Sequence, residues 1–414
     1  MQKAPKIRFD GYTEDWEQRK LSELLSFSNG FNGSKDMYGE GIPYISVMDI
    51  LNNDVITYDT IQGKVNLDDR VAQRYIVEYG DILFQRSSEN IEDAGRSNVY
   101  VDTERTAVFG GFVIRGKKVS EYDPIFMKKN LETHEVRNQI TSRAQGAQHI
   151  NVGQETLGSV KAYFPSLNEQ KIIGIFFQTL DSSITLHQKE CEKMLDFKGY
   201  MLSKMFPQNG EKVPEIRFED FTEDWEQRKL GEISLTFEYG LNAAAKEFDG
   251  ENKYIRITDI NDYTHEFMID NVTSPDTDLS NAENYKLSVG DILFARTGAS
   301  VGKSYIYKES DGLVYYAGFL IRARIKDEVN PEFVFQNTLT KDYEKYIAVT
   351  SQRSGQPGVN AQEYSEYKIM LPTRAEQDKI SDYLRSLDHL ITLHQRKVEV
   401  YKKMKQYMLR NMFV

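Results

Sequence analysis

The chain has 414 residues, 28% charged and 40% hydrophobic, the composition of an ordinary globular protein. Its 52 basic and 63 acidic residues give a net charge of −11, which excludes a polybasic nucleic-acid or membrane binder but leaves room for a local basic surface. One cysteine, Cys191, excludes an intramolecular disulfide framework and a multi-cysteine zinc site.

The opening stretch, Met1–Asp10, lacks the apolar core of a signal peptide. The segment Thr13–Leu21 (TEDWEQRKL) leads into a short helix predicted over Trp16–Phe27, with Asp15 as N-cap and Gln18 in the capping-box position. Strands are expected at Tyr44–Ile50, Asp81–Arg86, Ser97–Val101 and Val108–Arg115, runs rich in Ile, Val, Phe and Tyr and bounded by Gly, Asn and Asp. A helix follows from Pro124, then a Gly/Gln-rich loop at Arg143–Gln148 and a strand at Val160–Phe164. Ser166-Leu167-Asn168-Glu169 is a capping box that opens a long helix. Beyond it, residues at alternating steps of four and three form a seam: Ile173, Phe177, Leu180, Ile184, His187, Cys191, Met194, Lys198, Met201 and Met205. That is a coiled-coil pattern, about 50 Å long at the helical rise. The longest apolar run, Ile172–Phe177, falls far short of the roughly 18 residues a membrane span needs. The turn-rich segment Pro207–Lys212 then closes the first half.

The same series begins again. Thr222–Leu230 repeats TEDWEQRKL at an offset of 209, and both tryptophans, Trp16 and Trp225, lie inside the repeated segment. Gly80-Asp81-Ile82-Leu83-Phe84 recurs as Gly290–Phe294, Gly111–Arg115 resembles Gly318–Arg322, and Ile184–Gln188 recurs as Ile391–Gln395. The last offset is 207, half the chain. A second short helix is expected over Trp225–Phe237, with strands at Tyr254–Ile260, Asp291–Arg296, Ser304–Tyr307, Val314–Arg322 and Tyr367–Leu371 and a helix from Pro331. A second long helix follows the box Thr373–Glu376, its seam running through Ile380, Leu384, Leu387, Ile391, His394, Val398, Tyr401, Lys405, Met408 and Met412. One His and one Lys interrupt each seam at the same places. The expected fold is therefore mixed α/β: two similar globular domains at 1–165 and 214–372, long helices at 166–206 and 373–414, and a linker at 207–213. Each helix needs a partner, and pairing with its sibling about a pseudo-twofold axis makes an antiparallel coiled coil.

Several patterns imitate catalytic motifs. Gly298–Ser304 resembles a phosphate-binding loop, but it has three residues between its glycines where four are needed and it leads into a strand pattern. Asn330-Pro331-Glu332-Phe333 resembles an adenine-methyltransferase motif, yet Asp123-Pro124 at the matching place shows an N-cap and N1 pair. Glu251-Asn252-Lys253 has nuclease spacing without a counterpart in the first copy, and six histidines show no paired-ligand spacing, so no metal site is expected. His187 and His394 read as register-fixing seam residues. No catalytic residue is identified.

Two heads on a spacer suit a split duplex site, since the seam is of the order of one to one and a half turns of B-DNA at about 34 Å each. The segments Phe31–Glu78 and Leu241–Ser288 have diverged between the copies, so the heads would read different things. Recurring basic positions and polar loops supply the candidate DNA contacts: Arg86, Ser87, Arg96, Arg115, Arg143, Gln145 and Gln148 in the first copy, and Arg256, Arg296, Thr297, Lys303, Arg322, Arg353 and Gln356 in the second.

The ensemble resembles the specificity subunit of type I restriction-modification systems. The residues carrying the resemblance are Pro5–Phe9 with Trp16, Pro214–Phe218 with Trp225, the two Gly-Asp-Ile-Leu-Phe strands, and the helix starts Glu169-Gln170 and Glu376-Gln377. The resemblance implies two target recognition domains that read a bipartite asymmetric DNA site. It implies partners, namely two adenine-N6 methyltransferase subunits and restriction/translocase subunits that hold the S-adenosylmethionine, ATP and Mg. It also implies no cofactor and no catalysis in this chain; the single cysteine, the lack of a signal-peptide core and the short apolar runs make a cytoplasmic location the expectation. The alternatives are a coiled-coil adaptor with two protein-binding heads and a phosphate-using enzyme built on Gly298–Ser304. The long helices hold 14 of the 52 basic and 10 of the 63 acidic residues, leaving the globular parts at −15. The isolated chain is thus expected to bind DNA poorly, with partners supplying phosphate affinity.

Overall fold

The computed structural model describes residues 4–146, 149–208, 210–352 and 355–414. The chain forms two compact units, Met1–His187 with Lys397–Val414, and Gln188–Arg396. Each unit thus combines one globular region with segments of both long helices, which we label α1 (Leu167–Met205) and α2 (Arg374–Asn411).

In the first unit a four-stranded antiparallel sheet has the order Leu25–Asn29, Val113–Lys118, Ile82–Gln85, Ser97–Val99. A second sheet has the order Lys64–Val65, Tyr38–Ile45, Ala107–Phe109, Ile76–Val77, with its two middle strands parallel. A two-stranded ribbon pairs Glu17–Lys20 with Lys161–Phe164. The second unit repeats the first sheet in the same order (Ser234–Tyr239, Leu320–Ile325, Asp291–Ala295, Ser304–Ile306) and repeats the ribbon as Glu226–Lys229 with Lys368–Leu371. Its other sheet differs, running Ala244–Glu247, Thr273–Asp276, Lys253–Ile255, Val314–Tyr316.

The Gly-Asp-Ile-Leu-Phe strand has a local cause. Gly80 and Gly290 sit at φ +89° and +85°, where a side chain is strained, and the next residue turns its carboxylate back into the fold. Asp81 accepts from the Glu78 amide at 3.1 Å and the Lys118 amide at 2.9 Å, and Asp291 accepts from the Ser288 amide at 2.9 Å. Burial pushes the Asp81 carboxyl above its ordinary pKa, against these amides, which pull it down.

Several expectations change, among them Tyr254–Ile260, which is strand only to Ile255, and Val108–Arg115 and Val314–Arg322, each of which is two strands joined by a turn. Trp16–Phe27 and Trp225–Phe237 are strand, 3-10 turn and strand rather than helix, because the ribbon claims Glu17–Lys20 and Glu226–Lys229. Leu21, Leu24 and Leu25 mimic a helical stripe but are buried from a 3-10 turn and the start of the strand that follows it. Tyr44–Ile50 is strand only to Ile45, where Ser46 and Asp49 close a capping box on a short helix, Val47–Asn52. Glu169 and Glu376 do not reach back as capping-box acids. Each takes a bidentate arginine from the N-terminal arm of its copy: Arg8 on Glu169 at 2.7 and 2.8 Å, Arg217 on Glu376 at 2.7 and 2.9 Å. The following glutamines clamp the Asp/Asn–Pro helix start, Gln170 accepting from the Asp123 amide at 3.1 Å and Gln377 from the Asn330 amide at 2.9 Å.

Within each unit the helices run antiparallel. In the first, His187 stacks on Tyr401 with ring centres 5.8 Å apart and Lys405 pairs with Asp181 at 2.5 Å. In the second, Lys198 pairs with Asp388 at 2.6 Å. The lysines that break the seam are thus ion-paired across it. Ile173, Phe177, Leu180, Ile184, Ile380, Leu384, Ile391 and Val398 are buried, while Met194, Leu387 and His394 are half-buried. The two tryptophans fasten the helix ends. Trp16 packs edge-on against Phe413 at 6.1 Å, and Trp225 against Phe206 at 6.2 Å.

Candidate nucleic-acid interface

The central strand of each conserved sheet ends at an arginine, Arg86 or Arg296. Its backbone is held on three sides. The Arg296 amide donates to the Phe319 carbonyl at 3.1 Å, its carbonyl accepts from the Val359 amide at 2.9 Å, and Gly298 binds the Pro357 carbonyl at 3.0 Å. In the first unit the Arg86 amide donates to Phe112 at 2.9 Å, its carbonyl accepts from Val152 at 2.9 Å, and Ser87 pairs with Asn151. Gln145 bridges to Asn151, the partner of Ser87, and Gln356 lines the same hollow as Thr297, so the described residues of each polar loop lie on the arginine's side of the sheet.

In the second unit this edge borders a hollow of about 920 Å³ lined by Tyr239, Leu241, Arg256, Arg296, Thr297, Phe319 and Gln356. The Arg296 guanidinium lies 5.0 Å from the Tyr239 ring centre and 5.9 Å from that of Phe319. Among the described residues no carboxylate pairs with Arg296 or with Arg86, whose guanidinium contacts only the Gly111 carbonyl at 3.4 Å. A cation resting on aromatic faces, without a counter-ion, is free to meet phosphate or the O6/N7 edge of guanine.

Other candidates are placed differently. Arg322 is 3% exposed, bound to the Asn284 carbonyl at 2.9 Å and paired with Glu238, so it is a core cation and not a surface contact. Arg115 is half-buried against the Ile76 carbonyl, and burial lowers its pKa. Lys303 binds the Ile260 carbonyl at 3.1 Å and Asp262. Arg256 caps a 3-10 turn through Asp259 at 2.8 Å. Arg96 is exposed but pairs with Asp93 at 3.0 Å, and Arg143 is exposed and bonded to Ser159 at 3.0 Å. Gln148 and Arg353 lie outside the described residues. The residues sequence reasoning missed are Phe112, Phe319 and Tyr239; the only signal was a Gly-Phe pair repeated just before an apolar strand.

Gly298–Ser304 is a closed turn. The amides of Gly298, Val301, Gly302 and Lys303 all donate to protein carbonyls, and a strand follows at Ser304 where a phosphate-binding loop would open a helix. Among the described residues no cluster of three metal-ligating side chains occurs, and no helix is long and apolar enough to cross a membrane.

The family profile of the type I restriction modification DNA specificity domain matches residues 13–194 and 222–401, once on each repeat. The chain belongs to this family. The type I specificity fold accounts for the repeat, the mixed sheets and the long helix between them. Curated relatives that are similar include the type I restriction enzyme MjaVIII specificity subunit of Methanocaldococcus jannaschii, 22% identical across 95% of this chain and 91% of that one. The EcoKI specificity subunit of Escherichia coli is 25% identical across 89% and 81%. A crystal structure of a type I specificity subunit from M. genitalium shares the fold, with a TM-score of 0.65 at 15% identity and 99% coverage of both chains. As a type I specificity chain, the protein recognises DNA sequence.

Proposed function

We propose that the two globular regions read the two halves of a bipartite, asymmetric duplex site. The observation that carries this reading is the contrast within each unit. The Arg–Phe edge is the same in both, whereas the adjoining sheet keeps its parallel pair but differs at its outer strands and in the sequence around them. Shared edges suit a shared feature of the duplex, its phosphates, and altered outer strands suit different base sequences. Arg86, Ser87 and Gln145 are assigned to one half-site, and Arg296, Thr297 and Gln356 to the other.

The chain directs chemistry that its partners perform: adenine-N6 methylation by two modification subunits, and cleavage by restriction/translocase subunits holding ATP and Mg, in the cytoplasm. Support for docking comes from apolar residues left outside the seam. The first unit exposes Leu186, Val400, Met404 and Tyr407, and the second Phe197, Tyr200, Leu390 and Leu393; Leu186 with Leu393, Phe197 with Met404 and Tyr200 with Tyr407 are matched positions in the repeat. Helices with a second apolar stripe fit helical partners.

Replacing Phe31–Glu78 with the same stretch of another specificity chain tests the reading. Mapping N6-methyladenine in a genome expressing it with its methyltransferase should show one half of the site changed and the other retained. Changes in both halves would refute independent heads.

A further inference from the structure

The conserved edge carries a feature that phosphate contact does not use. Phe112 and Phe319 are 69% and 62% exposed, each at the tip of the turn between two buried strands. A large apolar ring held in water is unfavourable, and here it is held rigidly. The Val113 amide closes the first turn on the Gly110 carbonyl at 2.8 Å, and Gly110 is tied to Ile45 at 2.9 Å. The second turn repeats both bonds, Leu320 to Ala317 at 2.8 Å and Ala317 to Ile255 at 3.0 Å. The approach is too tight for a larger residue behind it. A Cβ on Gly30 would lie 2.1 Å from the Gly110 carbonyl oxygen, and one on Gly240 would lie 2.2 Å from that of Ala317. Beside each ring stands the unpaired arginine, Arg86 or Arg296.

We infer that Phe112 and Phe319 are wedges, each entering the duplex at one base step of its half-site and stacking on an exposed base face while the neighbouring arginine holds the backbone. This rests on the reading of the chain as a DNA-recognition subunit. Three observations select duplex DNA as the occupant. The ring's residue accepts a backbone bond from an arginine that has no carboxylate partner among the described residues in either unit, the guanidinium lying 5.9 Å from the ring centre in the second; it borders the hollow there, and it recurs where the sequences of the flanking segments have diverged. Stacking on a base is tolerant of base identity, so it suits a device common to two heads that read different sequences.

The test uses the complex with its methyltransferase subunits, on duplexes carrying the mapped methylation site, with 2-aminopurine walked through both halves. The intact complex should brighten one step per half, apart from the methylated adenine. Phe319→Ala should darken the step in its own half only and weaken binding about 10-fold, with the salt slope unchanged, since no phosphate contact is lost. Phe319→Trp should retain both signals. Phe112→Ala should do the same in the other half. Wild-type affinity and an unchanged bright step in both alanine variants would overturn the wedge while leaving DNA recognition intact. A complex that binds no duplex sequence-selectively would overturn the recognition reading, and the wedge with it.

Discussion

The two sheets in each unit have had different histories within one chain. The sheet built on Ile82–Gln85 and on Asp291–Ala295 keeps its strand order in both copies, along with its buried aspartate, its Arg–Phe edge and its contact with the helix through Trp16 or Trp225. The sheet built on Tyr38–Ile45 keeps its parallel pair in the other copy, as Lys253–Ile255 beside Val314–Tyr316, but gains an outer strand, Ala244–Glu247, on Thr273–Asp276. A fold can hold one layer constant while varying its neighbour when the two bury separate cores. Ile82, Phe84 and Ile114 pack with the helices, whereas Ile45, Leu83 and Phe109 form another cluster on the opposite face of the strand. The period of two along Ile82-Leu83-Phe84 divides the constant layer from the variable one.

The largest effect expected from this comparison is on the constant layer. Glu169→Ala leaves the Arg8 guanidinium without its partner, in a site where the glutamate is 1% exposed, and should cost about 3–5 kcal/mol of stability. Glu376→Ala should cost the same through Arg217. Denaturant titrations of both variants check this, and a large cost in only one copy would break their equivalence. Next come the arginines. Arg322→Ala should destabilise by about 3 kcal/mol, because Glu238 and the carbonyls of Asn284 and Lys286 lose their cation. Arg296→Ala should shift stability by no more than about 0.5 kcal/mol yet weaken duplex binding by the partnered complex at moderate salt. A stable Arg322 variant with impaired DNA binding would reverse the assignment.

The smallest effect separates the units by pH. Burial raises Glu132, but Lys128 and Lys129 outweigh it and bring its pKa to about 2. The stabilisation is present above the ordinary glutamate range, about 4.3, and is lost as pH falls from there towards 2. Glu332, in the matching helix of the other unit, is raised by burial, so protonation relieves it and acid favours its folded form. Hydrogen exchange between pH 6 and pH 3 should therefore lose protection at Pro124–Glu132 before Pro331–Asn337. The reverse order would contradict these environments.

Much of this architecture was legible in the sequence because it is written twice. The seam, the Gly-Asp turn and the Pro-initiated helices depend on local rules, and each appears at two places where chance would have blurred one. The opening segments look helical because Leu21, Leu24 and Leu25 have helical spacing, while the force that makes Glu17–Lys20 a strand lies about 145 residues away in Lys161–Phe164. The interface was half-legible. Arg296 and Arg322 look alike as strand-end charges, and only tertiary placement puts one over Tyr239 and the other in the core.

Trp16 holds Phe413 as Trp225 holds Phe206, and the Ile7 amide donates to the Asn411 carbonyl at 2.9 Å where the Ile216 amide donates to Lys204 at 2.9 Å. The junction that the covalent linker makes in the second unit is thus reproduced in the first without a peptide bond. Each unit therefore closes its arm on a helix end through the same two contacts, whether or not the backbone runs through the junction, so the junction is held by packing and one hydrogen bond rather than by chain continuity.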